Sequence, residues 1–150
     1  MPEEGTIFLS KSKTTSVQSK KIEQLLANKK KLYQIFSVFP LQLAPDQLII
    51  DTQKVTIIYN QFFGETFSET ILLDQIGDVD LELGFLFGSL HILSLSHEKQ
   101  WIKISQLKRD EVLRAKRIIE GLIIAKREGI TLDNSDEGLV DELEKLGSAL

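Results

Sequence analysis

Three carboxylates, Asp78, Asp80 and Glu82, alternate with Val79, Leu81 and Leu83 inside "LLDQIGDVDLELGFLFGSLHILSLS", residues 72–96. On an extended chain such neighbours lie roughly 7 Å apart, close enough to suggest a hard-cation site. Hard-cation sites usually draw their ligands from a loop, however, and one wet strand face explains the same alternation. The two histidines, His91 and His97, are six residues apart. On one strand they would be ~20 Å from each other, too far to share a metal. The absence of cysteine excludes disulfides, thiolate metal sites and a thiol nucleophile. No phosphate loop, dinucleotide-binding glycine motif, paired-histidine zinc motif or Gly-x-Ser-x-Gly elbow occurs. No catalytic residue, metal or cofactor is assigned, and the expectation is a protein that is not an enzyme.

Two groups could act by binding instead. Lys20, Lys21, Lys30 and Lys31 could contact an anionic surface, either lipid headgroups or nucleic acid. With no arginine and few aromatics among them, sequence-specific nucleic-acid recognition has little support. In "QWIKIS", Ile102 and Ile104 would point inward and leave Trp101 and Lys103 outward. A tryptophan exposed on a strand is a candidate anchor for a protein partner or for self-association.

These residues need elements to position them. From Ser19 to Phe39 the apolar residues Ile22, Leu25, Leu26, Leu32, Tyr33 and Phe36 fall at the spacing of one helical face, so a helix ending before Pro40 is predicted. From Gln47 to Ser105 the pattern is that of six short strands: "QLIID", "KVTIIYNQFF", "TFSETILL", "DVDLELG", "SLHILSLS" and "WIKIS". Helical periodicity returns from about Leu107 to Glu128, through Val112, Ala115, Ile119, Leu122 and Ile123, and Gly129 supplies the stop. Leu113 and Ile124 lie on a different side of that helix and imply a second packing partner, for which the N-terminal helix is the obvious candidate. In the acidic tail, Leu139, Leu143 and Leu146 give a short amphipathic helix.

Charge changes sign where the periodicity changes. Residues 1–40 carry seven Lys against three Glu, and residues 41–106 carry three Lys against nine acids. Residues 107–128 carry seven basic against four acidic side chains, and 129–150 one Lys against six acids. Such segregation concerns association and not fold. Three segments are expected: a basic segment with an amphipathic helix at 1–40, a domain at 41–128, and an acidic tail at 129–150.

A run of antiparallel strands followed by one amphipathic helix resembles the order of a pleckstrin-homology-like (PH-like) domain. The stretch "LLDQIGDVDLELGFLFGSLHIL" is similar to the pattern of small bacterial PH-like domains, with "KVTIIYNQFF" before it and "KRDEVLRAKRIIEGLIIA" after it, over about residues 45–127. The resemblance implies an α+β fold: a PH-like antiparallel β-barrel plugged by its C-terminal helix, here with an extra N-terminal helix. Gly77, Gly84 and Gly88 would bend the chain at the corner where one sheet passes into the other. The family's inositol phosphate binding is not carried over, because the first loop, "DTQK", offers only Lys54 beside Asp51 in a segment with six excess negative charges.

A chain of 150 residues removes roughly 70% of its unfolded surface from water, enough for one core without staples. Its apolar run "IFL" near the start is far shorter than the hydrophobic region of an export signal. The longest uncharged stretches are too short, or too broken by proline, for the ~20 residues of a membrane helix. The expectation is therefore a soluble, cytoplasmic, non-catalytic module for protein contacts or self-assembly. The alternative is peripheral attachment to an anionic membrane or nucleic-acid surface through the first helix.

Overall fold

The computed structural model describes residues 31–96, 98–133 and 137–149. Among the described residues seven strands precede the helices: β1 (Tyr33–Phe36), β2 (Gln47–Ile50), β3 (Lys54–Asn60), β4 (Thr66–Leu72), β5 (Ile76–Leu83), β6 (Phe87–Ser94) and β7 (Gln100–Lys108). Two helices follow, α1 (Arg109–Arg127) and α2 (Leu139–Ser148). The strands form two antiparallel meanders, a four-stranded sheet β1-β2-β3-β4 and a three-stranded sheet β5-β6-β7.

The closed PH-like barrel expected from the sequence does not form. Among the described residues no ladder joins β4 to β5 or β1 to β7, so both sheets stay open. At one corner, the 3-10 turn Leu73–Gln75 carries the chain out of the first sheet before β5 begins. At the other corner the link is one backbone bond, Val38 N–H to the Gln106 carbonyl at 2.7 Å. Gln106 has a φ of 60°, and the β6–β7 register shifts between Gly88 and Leu90, so the end of β7 turns away from a continuous ladder. The corner between the sheets is thus residues 73–75. The glycine-bearing stretch that follows makes β5 and β6 of a single sheet.

The helix expected over 19–39 is also corrected where it is described. Residues 33–36 are strand β1, one more than the six strands expected, paired with β2 from Tyr33↔Ile50 to Phe36↔Gln47. Tyr33 with Phe36 fits a helical spacing, and Tyr33 with Ile35 fits a strand alternation. Pairing decides: the strand buries Ile35 in the core and closes its backbone bonds on β2. The earlier part of that expected helix, with Lys20, Lys21 and Lys30, lies outside the described residues.

The other elements follow the sequence pattern. β6 alternates half-buried and buried residues along its whole length, and β7 buries Ile102 and Ile104. The apolar face of α1, with Val112, Ala115, Ile118, Ile119, Leu122 and Ala125, closes the core over both sheets. Asp110 and Glu111 in its first turn and Lys126 and Arg127 in its last complement the helix dipole. Gly129, at φ 68°, ends it, with Gly129 N–H on the Lys126 carbonyl and Ile130 N–H on that of Ala125.

α2 packs on α1. Leu139 and Leu143 are buried there, and Arg114 reaches across to Asp141 Oδ1 at 2.8 Å and Glu144 Oε2 at 3.0 Å. Two glycines set the separation. A Cβ on Gly121 of α1 would overlap the Leu143 carbonyl, and one on Gly147 of α2 would overlap the Arg117 carbonyl. α2 thus sits beside Arg114, Arg117 and Gly121, not on the side that carries Leu113 and Ile124, and the N-terminal helix expected to cover those two lies, in its earlier part, outside the described residues.

Candidate functional site

Trp101 and Lys103, the sequence-predicted protein-contact residues, lie on the outer face of the three-stranded sheet. Antiparallel register places Asp80 of β5 opposite His91 of β6, and His91 opposite Lys103 of β7. One step along, Leu93 stands opposite Trp101. Period-two alternation sends Leu90, Ile92, Ile102 and Ile104 into the core, so these other side chains must face out. Trp101 is 52% exposed, as its position in "QWIKIS" implied. Together with Asp80, Leu81, Glu82 and His91 it lines an open groove of about 530 Å³.

Electrostatics order the polar side of the groove. Lys103 Nζ donates to Glu82 Oε2 at 3.1 Å, and His91 Nε2 lies 3.4 Å from the same oxygen. The hydrogen bond from Lys103 and its charge, then His91, hold the Glu82 carboxyl below its ordinary range. Glu82 is solvent-facing, so the arrangement orients side chains more than it stabilises the fold. Lys103 is consequently an ion-paired rim residue beside Trp101.

The alternating carboxylates have a local role that their spacing did not reveal. Asp78 Oδ1 accepts the N–H of Val79 at 2.8 Å, and Asp80 Oδ1 accepts that of Leu81 at 2.9 Å. β5 is the edge of its sheet, and these bonds occupy backbone donors along that edge. Among the described residues no three His, Asp or Glu side chains gather as they would around a metal ion.

Lys31 is exposed just before β1, while Lys20, Lys21, Lys30 and His97 lie outside the described residues. Among the described residues no helix is long and apolar enough to cross a membrane.

Sequence reading missed a set of exposed apolar tips. "KVTIIYNQFF" was expected to be strand to its end, but β3 stops at Asn60, whose amide donates to the Pro45 carbonyl at 2.7 Å. Gln61 N–H then closes on the Glu65 carbonyl, leaving Phe62 and Phe63 stacked edge-to-face on the turn with centroids 5.5 Å apart. Phe63 is 93% exposed. Apolar residues next to Gly64 were the available signal. Strand propensity counts them as strand, whereas the Gly64 turn, at φ 85°, needs them outside it.

Compared with protein-family models and with curated protein sequences, the chain matches none.

Proposed function

We propose that this protein is a non-catalytic domain that acts through protein contacts, made on the outer face of β5, β6 and β7 around Trp101. The carrying observation is the half-exposed Trp101 beside an oriented Glu82–Lys103 pair, in a groove that neither helix lines. A rigid aromatic anchor with a polar rim is the composition of an interface hot spot. Burying the remaining surface of one tryptophan contributes more than the rim pair, which is solvated.

The order of four strands, three strands and a helix supports kinship with small bacterial PH-like domains at the level of element order. A cytoplasmic setting belongs to the same reading. Attachment through Lys20, Lys21, Lys30 and Lys31 to an anionic surface remains the competing proposal, and salt dependence separates the two.

Sedimentation of the full chain, with affinity capture from its native cell, tests the reading. Self-association or capture of a defined partner is expected to weaken at least about tenfold in Trp101→Ala, an effect of ~1.4 kcal/mol, and to depend little on salt. Contacts that ignore Trp101→Ala but vanish when the four lysines become Glu would transfer the function to the basic segment.

A further inference from the structure

The two sheets end differently. β5 has the N–H groups of Val79 and Leu81 occupied by Asp78 and Asp80. β4, an edge of the other sheet, has no such side-chain bond on its outward N–H groups, and what guards it is the inward-pointing charge of Glu69. It pairs with β3 through seven consecutive residues, Lys54↔Leu72 to Asn60↔Thr66, without a register shift. Among the described residues nothing pairs with its other side. It contains neither Lys nor Pro, the residues that usually blunt an edge.

The bonds bracketing the ladder show which groups are free. Gln61 N–H meets the Glu65 carbonyl at 2.8 Å, and Leu73 N–H meets that of Gln53 at 2.9 Å. Antiparallel alternation then turns the backbone groups of residues 67, 69 and 71 toward β3. Those of Thr66, Ser68, Thr70 and Leu72 turn outward, the row an added strand would use.

Charge decides what that strand carries. Residues 61–75 include Glu65, Glu69 and Asp74 and no basic residue. Glu69 stands opposite Ile57 on the inner face, beside Phe67 and Ile71, and its Oε2 is shielded from solvent without a hydrogen-bond partner. A second copy supplies no remedy. The central two-fold pairings of β4 with itself set Glu69 against Glu69, Phe67 or Ile71, none of them a donor. We propose that β4 is an acceptor edge for an extended segment of another polypeptide whose inward-facing side chains include a Lys or Arg opposite Glu69. That position is a non-hydrogen-bonded pair, where side chains approach most closely.

The site is separate from the Trp101 face, and so is its test. A display library of random decapeptides is selected on the full chain, and enriched peptides are synthesised and titrated. Enriched sequences should alternate β-branched residues and carry one Lys or Arg, and binding should slow amide exchange at Ser68 and Thr70. Ser68→Pro removes one outward donor at an edge position that tolerates proline, and should weaken binding about tenfold or more. Replacing the peptide's basic residue by Glu should do the same in the wild type and little in Glu69→Gln. Trp101→Ala should leave all of this unchanged. No enrichment, protection elsewhere, or indifference to the peptide's charge overturns the proposal. Slowed exchange at Ser68 and Thr70 in a dimer without peptide also overturns it and assigns the edge to a second copy. The exchange measurement uses the wild-type chain and stands even if Ser68→Pro does not fold.

Discussion

The contact between α1 and α2 can be tested by adding one carbon atom. In an exposed helix, Gly→Ala stabilises by roughly 0.5–1 kcal/mol, because alanine loses less backbone entropy. At Gly121 the sign should reverse. The new Cβ would overlap the Leu143 carbonyl, and since ordinary contact begins near 3.4 Å the α2 backbone must retreat or detach. Detachment exposes Leu139 and Leu143, now 5% and 2% exposed. At about 1.5–3 kcal/mol per buried leucine, the upper bound is roughly 3–6 kcal/mol. Partial retreat and the helical gain reduce it to an expected net loss of about 2–4 kcal/mol. Urea denaturation measures this directly, and the melting temperature should fall by roughly 2–4 °C for each kcal/mol. The decisive control is the same substitution in a chain lacking residues 137–150, where Gly121→Ala should stabilise. A loss of stability in both backgrounds, or in neither, would refute the close backbone approach.

Further outcomes follow from individual contacts. Arg114→Ala removes the bonds to Asp141 and Glu144 and the stacking over Tyr33, and should cost about 1–2 kcal/mol, part of it lost at high salt in a thermal melt. Burial, then Glu69 and Asp46, push the Tyr59 hydroxyl up to about 12, and it donates to the Lys103 carbonyl. The unfolded chain ionises first, so this contribution is intact below pH 10 and lost as pH rises toward 12. Because Tyr59 is half-exposed, the loss is discounted to about 1 kcal/mol, and Tyr59→Phe should flatten that part of an alkaline stability curve. Replacing both Asp78 and Asp80 by Ala frees the β5 donors, and light scattering at fixed concentration should show faster aggregation with little change in melting temperature.

Much of this domain is written in local pattern. The alternation in β5, β6 and β7 fixes which side chains face the core, and with it the outward placement of Trp101 and Lys103. The 3.6-residue spacing of α1, the stop at Gly129 and the leucine stripe of α2 are likewise legible, because each depends on neighbours a few residues apart. β1 was not legible, since four residues fit two periodicities and only β2, reached across a ten-residue loop, selects one. Barrel closure was not legible either, because it rests on corners where distant strands either meet or pass. Gly121 and Gly147 look like weak points of two helices until the opposing carbonyls are placed against them. The same holds for the edges: composition marks β4 and β5 alike as strands, and only sheet order leaves the outward donors of β4 open while Asp78 and Asp80 occupy those of β5.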